Sequence, residues 1–273
     1  MQEEITLISK DGLKLYGVID APQAPKAVVV IVHGLAEHLN RYDVLTQFLT
    51  QRGFAVVRYD QRGHARSEAK EGKRVFLRDF NELPDDVSVA VEYAKNRFSK
   101  LPVYVLGHSM GGFSVVAFAT KYPTMADGII TSGAWTRGNN RELGDIPADM
   151  PYDTYFPNAL GGKVCTDTSV IDAYQKDPLV EKAISASIFY EVAKGIHYLK
   201  ANAERFCAPV LILHGSEDGL VSEKDSRDLF GEIGSEDKEL IIYAKLYHEI
   251  LNEPIKERIY ATLCQWIDDR LPV

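Results

Sequence analysis

Cysteine is scarce: three residues, Cys165, Cys207 and Cys264, in a chain of 273. They lie far apart and are odd in number, so neither a disulfide framework nor a C-x-x-C site follows. Reduced thiols in a cytoplasm are the expectation. Positive charge is in deficit too. The 31 Lys and Arg against 39 Asp and Glu leave a net charge of −8, which argues against nucleic acid and anionic membrane surfaces as partners. Long apolar runs are missing; residues 27–32 form one of the longest, far short of the roughly 20 residues that span a bilayer. The start, Met1-Gln2-Glu3-Glu4, has no basic n-region and no apolar h-region, so no signal peptide is expected. No Gly-x-Gly-x-x-Gly follows the first apolar strand, which removes the dinucleotide-binding reading. His33 and His38 lack the His-Glu-x-x-His spacing and have no carboxylate cluster beside them. Neither a metal nor a cofactor is therefore expected. Internal repeats and low-complexity tracts are absent as well.

What is present is a regular alternation of strand and helix signals. Residues 4–9 and 13–20 read as a hairpin around Lys10-Asp11-Gly12. The run Ala27-Val-Val-Val-Ile-Val32 is apolar on both faces, as a central strand of a helix-covered parallel sheet must be. Tyr42, Leu45, Phe48 and Leu49 then share a helix face, residues 54–60 form a strand, and Val87, Val91, Ala94 and Phe98 follow at helical spacing after Pro84. Residues 103–106 and 127–132 are strands around a helix at 113–122. From 134 to about 194 the alternation stops. Prolines and glycines cluster there, and Trp135, Tyr152, Tyr155, Phe156 and Tyr174 appear without a clean period. Short helices fit 169–175 and 181–189. The stretch carries too many apolar residues to be a linker, so it reads as an inserted cap (134–194) on a core of 1–133 and 195–273. The alternation resumes with a helix at 198–206, strands at 210–213 and 240–243, a helix at 223–230, and a final helix bearing Ile255, Ile259, Leu263, Trp266 and Ile267. A doubly wound, mostly parallel sheet with helices on both faces is the fold class.

The chemistry concentrates at Val103-Tyr-Val-Leu-Gly-His-Ser-Met-Gly-Gly112. An apolar strand runs into Gly-x-Ser-x-Gly and a helix departs at once, which forces Ser109 into a strained turn. Small residues two before and two after make room for it, and the turn lifts the hydroxyl beside a helix N-terminus. A serine at its ordinary pKa needs a base, and that base needs a carboxylate to fix its tautomer. In such a sheet these groups belong at the carboxyl ends of later strands. Asp218 follows the strand at 210–213 and His248 follows the strand at 240–243. Asp225 and Asp237 are rivals for the acid, but one falls inside a helix and the other in a Gly/Ser-rich loop. His197 and His214 are rivals for the base; His214 precedes the acid and reads as packing against the sheet. His33 and His64 are expected to bond loop backbone, and His108 to shape the nucleophile turn. The backbone N–H groups of Leu35 and Met110 would form an oxyanion hole.

With these residues in place the chain resembles the monoacylglycerol lipase and lysophospholipase branch of the α/β-hydrolase superfamily. The similar stretches are His33-Gly-Leu-Ala-Glu-His38 with Arg41-Tyr42, Asp60-x-Arg62-Gly63-His64-x-x-Ser67, Gly107-His-Ser-Met-Gly-Gly112, Asp177-Pro-Leu179, Gly215-Ser-x-Asp218 and Tyr247-His248. They extend over nearly the whole chain. The resemblance implies the α/β-hydrolase fold, an eight-stranded mostly parallel sheet with a mainly helical cap, and hydrolysis of a monoacylglycerol or similar single-chain ester without colipase or metal. It implies Ser109 as nucleophile, Asp218 as acid, His248 as base, and Leu35 and Met110 as oxyanion donors. The family often has a small residue at Leu35 and glycine at Ala36, and the cap matches least.

Trp135, Tyr152, Tyr155 and Phe156 are the candidate substrate-binding residues. Two other enzymes share the catalytic groups: an esterase for short-chain or aromatic acyl esters, with a small pocket under those aromatics, and a proline-iminopeptidase-like peptidase. The latter would hold a substrate amine on Asp145, Asp149 or Asp153. A non-catalytic receptor would be favoured by a broken triad. Tyr155-Phe156-Pro157 with Leu160 is a candidate lip for transient membrane contact.

Overall fold

In the computed structural model, residues 2–139, 150–159 and 162–271 are described. The chain opens with a hairpin. Strands β1 (Gln2–Ile8) and β2 (Lys14–Asp20) pair antiparallel from Gln2↔Asp20 to Ile8↔Lys14. Strand β3 (Ala27–Val32) follows, then α1 (Asp43–Gln51), β4 (Phe54–Tyr59), α2 (Glu82–Arg97), β5 (Val103–His108), α3 (Met110–Lys121) and β6 (Gly128–Ser132). Next come β7 (Tyr155–Pro157), α4 (Thr168–Lys176), β8 (Ala183–Ser185) and α5 (Ala186–Ala201), then β9 (Val210–Gly215), α6 (Lys224–Glu232), β10 (Lys238–Tyr243) and α7 (Lys256–Asp268). Eight strands form one sheet in the order β1-β2-β4-β3-β5-β6-β9-β10. The first two are antiparallel to their neighbours, and the rest run parallel.

The all-apolar sequence of β3 has a direct consequence. Val28, Val30 and Val32 pack into one hydrophobic cluster with Val87 and Val91 of α2 and Phe113 and Phe118 of α3. The alternate residues Ala27, Val29 and Ile31 pack into a second with Leu45 and Leu49 of α1 and Leu263 and Trp266 of α7. A period of two on a strand buried from both sides leaves no position for a polar residue.

The stretch after residue 180 differs from the sequence reading. Residues 181–189 and 198–206, expected as two helices, are instead a short strand β8 (Ala183–Ser185) and one continuous helix α5 (Ala186–Ala201), closed by a 3-10 turn at Ala203–Arg205. β8 is a strand because it pairs antiparallel with β7 (Tyr155–Pro157). Gly195 does not interrupt α5: a side chain there would collide with the Phe113 ring, so glycine admits the close approach of α5 to α3. The 194 boundary thus falls within α5. Helix α4 (Thr168–Lys176), N-capped by the Asp167 carboxylate, completes the described part of the cap. Ile255 is not on the buried face of α7; it is the residue before the helix and is 40% exposed.

Asp225, the rival acid, has a structural task. Its buried carboxylate accepts backbone N–H bonds from Thr136 (2.8 Å), Arg137 (2.7 Å), Gly138 (3.3 Å) and Asn139 (2.8 Å), with the Asn139 amide at 2.9 Å. The chain entering the cap is therefore tied to α6 by one charged acceptor. Asp225→Ala is expected to lower unfolding free energy by about 3 kcal/mol, since it strands several buried donors at once. Asp225→Asn should lose less. Denaturant titration checks this; a loss below about 1 kcal/mol for the alanine variant would contradict it.

Candidate active site

The nucleophile turn is built from two close approaches. A side chain at Gly107 would overlap the Gly111 carbonyl, and one at Gly111 would overlap the Val32 and His33 carbonyls. With both removed, β5 turns into α3 over one residue, and Ser109 takes φ 54, ψ −117. For a residue with a Cβ this conformation costs on the order of 1–3 kcal/mol. Three backbone bonds hold it: Ser109 N–H donates to Ser132 O (2.9 Å), while Phe113 and Trp135 N–H donate to Ser109 O at 3.0 and 3.2 Å. The serine is half-buried at the floor of a cleft.

Asp218 and His248 meet in the structure. His248 Nδ1 lies 2.6 Å from Asp218 Oδ2, and both side chains are buried. The other oxygen, Oδ1, accepts the N–H groups of Leu220 (2.8 Å) and Val221 (2.9 Å). Burial alone would raise the Asp218 carboxyl, but the His248 and His214 imidazoles outweigh it and hold the group well below the usual range. For His248, burial alone would depress the imidazole. Asp218, with Glu249 and Glu37 beyond, outweighs that and raises it above the ordinary 6.5. His108, whose ring centroid is 4.7 Å from that of His248, is pushed down to about 4 by burial and then by His248 itself. Its Nδ1 lies 3.0 Å from the Ser132 carbonyl, which fixes its place under the turn.

The loop after β3 completes the surroundings of Ser109. A Cβ at Gly34 would sit 3.2 Å from Ser109 Cβ, so this loop borders the serine. Among the described residues, neither Leu35 N–H nor Met110 N–H has a backbone acceptor. The loop is braced from below. Gln61 N–H donates to His33 Nε2 (2.8 Å), which leaves the His33 proton on Nδ1 for the Gly34 carbonyl (2.7 Å). Glu37 accepts from Gly34 N–H (2.5 Å) and Tyr42 OH (2.8 Å). Sequence reasoning missed the next layer. Arg41 Nη1 donates to Glu37 (2.5 Å) and Glu249 (2.8 Å), and Nη2 to Glu249 (2.7 Å). Arg41 is therefore clamped between two carboxylates. Its signals in the sequence were the i, i+4 spacing of Glu37 and Arg41 beside the His33-Gly34 loop and the place of Arg41-Tyr42 among the family-like stretches.

A family model described as "serine aminopeptidase, S33" matches residues 23–255. The chain is 34% identical over 268 residues to a monoacylglycerol lipase of Mycolicibacterium smegmatis, covering 94% of this chain and 93% of that one. The chain belongs to this α/β-hydrolase family. Rat monoglyceride lipase is 29% identical, with 98% of this chain and 91% of that one covered. The crystal structure of Paleococcus ferrophilus monoacylglycerol lipase superposes with a TM-score of 0.82 at 26% identity, covering 94% of this chain and 99% of that chain. A soluble variant of the Saccharomyces cerevisiae monoglyceride lipase shares the fold, at a TM-score of 0.86 and 20% identity over 100% and 96%. This hydrolase is a serine enzyme of the carboxylic-ester class. Its Ala36, at φ 61, occupies a left-handed position that suits glycine.

The cleft of the hydrolase encloses about 610 Å³, part of it open to solvent. Ser109, His108 and His248 line it together with Glu37, Arg41 and Glu249; Trp135 and Leu220 face it from the apolar side. The cap contributes Val164 and, from α4, Val170, Ile171 and Tyr174. Tyr152, Tyr155 and Phe156 are not in the lining, which corrects the sequence reading. Tyr152 OH donates to Glu191 (2.9 Å), Tyr155 OH donates to the Arg74 carbonyl (2.9 Å), and Phe156 is taken up in the β7–β8 pair. The spacing of Val170, Ile171 and Tyr174 on one helix face was the better guide. Asp153 pairs with Lys73 at the surface; Asp145, Asp149 and Leu160 lie outside the described residues. Among the described residues, no group of three or more His, Cys, Asp or Glu could hold a metal ion. No described helix is long and apolar enough to cross a membrane.

A base must be unprotonated to act, so the raised His248 value sets a sign. The kcat/KM of the hydrolase is expected to rise with pH along a limb whose midpoint lies above 6.5. In folding, protonated His248 contributes stability below about pH 6.5, and that contribution fades as pH rises through the folded-state value. Asp218→Asn is expected to lower kcat by about 10³–10⁴-fold with the fold retained. A pH–rate profile and circular dichroism test both; a limb at or below 6.5 would contradict the first.

Proposed function

We propose that this hydrolase cleaves monoacylglycerols, or close single-chain esters with an uncharged polar head, through an acyl-enzyme on Ser109. His248 takes the serine proton as the hydroxyl attacks the ester carbonyl and returns it to the departing alcohol. Asp218 keeps the His248 proton on Nδ1 and stabilises the imidazolium. Leu35 and Met110 N–H receive the developing oxyanion, worth roughly 3 kcal/mol per donor. Water, activated by the same histidine, then releases the fatty acid.

The observation that carries the choice of substrate is the paired charge at the polar side of the cleft. Arg41 is bound by both Glu37 and Glu249, so its charge is already matched where a phosphate would need it. The two carboxylates are engaged in turn, which argues against holding a substrate ammonium, as an aminopeptidase would need. One carboxylate remains in excess, and it repels an anionic head. The same cleft is lined by Leu35, Trp135, Val164, Val170, Ile171 and Leu220. A lining that combines apolar side chains with charges already paired suits an acyl chain ending in a neutral polyol. The lipase names of the relatives agree with this reading.

On this reading residues 134–194 act as the cap over a core of 1–133 and 195–273, with α5 rooted in both. Cytoplasmic residence fits three unpaired thiols, two of them buried. Contact of the cap with a bilayer is the route by which a single-chain lipid would enter, with Tyr155, 40% exposed, at its surface.

A comparison of esters with a common acyl chain tests the substrate. The kcat/KM for a 1-monoacylglycerol is expected to exceed that for the matching lysophosphatidic acid by about tenfold or more, the effect of one uncompensated charge near a partly buried site. Aminoacyl anilides should not turn over. A maximum at p-nitrophenyl acetate or butyrate with no monoacylglycerol turnover would overturn the lipase assignment and leave the short-chain esterase.

A further inference from the structure

Asp218 serves two histidines. The oxygen that meets His248, Oδ2, also lies 2.9 Å from Nε2 of His214, a side chain with no solvent exposure four residues earlier at the end of β9. His214 Nε2 is 3.2 Å from the Val221 carbonyl as well. Both neighbours of Nε2 are acceptors, so Nε2 carries a proton. On the far side, Nδ1 is 2.7 Å from the Ser226 hydroxyl in α6, which can donate to it. The Nε2–H tautomer therefore satisfies every partner the ring has. His214 is not among the residues that line the cleft.

We propose that His214 is a positioning residue for the general base, acting on His248 through the oxygen they share. The reading rests on the assignment of Asp218 and His248 above. Two consequences follow from elementary hydrogen bonding. First, with Leu220 and Val221 N–H on Oδ1 and the two imidazoles on Oδ2, the carboxylate plane is fixed, and Oδ2 is held 2.6 Å from His248 Nδ1. Second, the His214 N–H takes part of the negative charge of Oδ2. The carboxylate is thereby a weaker partner for the His248 imidazolium than it would be alone, and His248 is less basic. A stronger base would remain protonated at neutral pH and be unavailable for attack. His214 thus offsets part of the rise that the Asp218 carboxylate would otherwise give. Ser226, by donating to Nδ1, strengthens the Nε2–H donor on the opposite side of the ring.

Other charges also face His248: Glu249 on its own loop, Glu37 with Arg41 from the loop after β3, and His108 from β5. Lys163 of the cap offers its backbone carbonyl to His248 N–H, while its ammonium turns to Glu217. None of these touches His214, so a change at His214 reaches the base only through Asp218.

The experiment compares kcat/KM against pH for wild type, His214→Leu, His214→Gln and Ser226→Ala, on a soluble p-nitrophenyl ester. For His214→Leu the acid limb is expected to move up by about 0.5–1 pH unit, with kcat at neutral pH lowered by about three- to tenfold. His214→Gln, whose amide can donate near the Nε2 position, should restore the limb to near wild type. Ser226→Ala should move it in the same direction by less; it carries the test if the leucine variant does not fold. A limb unchanged in folded His214→Leu, or in Ser226→Ala where leucine does not fold, overturns the proposal and leaves His214 as packing. Loss of stability without a moved limb has the same meaning. Failure of the triad assignment would look different, because His248→Gln would then retain wild-type activity.

Discussion

The structure depends on one backbone constraint: Ser109 held at φ 54, ψ −117 between β5 and α3. Nothing in the serine favours that conformation. It persists because Gly107 and Gly111 let the turn close onto the β3 carbonyls, and because three backbone bonds reach it from β6, α3 and the start of the cap. Those bonds come from elements that are themselves fixed by the two hydrophobic clusters on either face of the sheet. Strain at one residue is thus borne by the packing of the whole core. In return, the hydroxyl stands free at the floor of a cleft with a helix N-terminus beside it.

Around that point the polar groups are arranged in pairs that leave little charge unmatched. Asp218 is met by two imidazoles and two backbone donors, Glu37 and Glu249 by one guanidinium, and Asp225 by the chain entering the cap. Each pairing sits in a different place: the first beside His248, the second in the lining of the cleft, the third between α6 and residues 136–139. The second pairing puts matched charge in the lining of the cleft, in keeping with the proposed uncharged substrate head.

Much of this was legible in the sequence because the fold has strong periods. The doubly apolar run at 27–32 could only be a central strand, and strand ends then supplied the acid and base. The nucleophile turn was legible because glycine two before and two after a serine has a steric reason. The cap was not. Two helices were expected at 181–189 and 198–206, but the absent side chain of Gly195 admits Phe113, and α5 runs unbroken for 16 residues. The aromatics Tyr152, Tyr155 and Phe156 suggested a pocket, yet the tyrosine hydroxyls are bound to Glu191 and to the Arg74 carbonyl, and the phenylalanine to a strand pair. Tyrosine carries a polar end as well as a ring, and a sequence does not say which one is used. The Arg41 clamp joins residues 208 positions apart, and no local pattern announces such a contact. His214 was set aside as packing because it precedes the acid; its second role is visible only once Asp218 Oδ2 is located.

The central claim is that Ser109, activated by His248, is the nucleophile. Reaction with a fluorophosphonate followed by peptide mass mapping tests it most directly, since a phosphonylated serine is stable and needs no knowledge of the substrate. The account predicts one phosphonyl group per chain, on the peptide containing Ser109, absent from Ser109→Ala and strongly slowed in His248→Gln. Folded wild-type protein left unlabelled, or labelled at another residue with Ser109 unmodified, would contradict it.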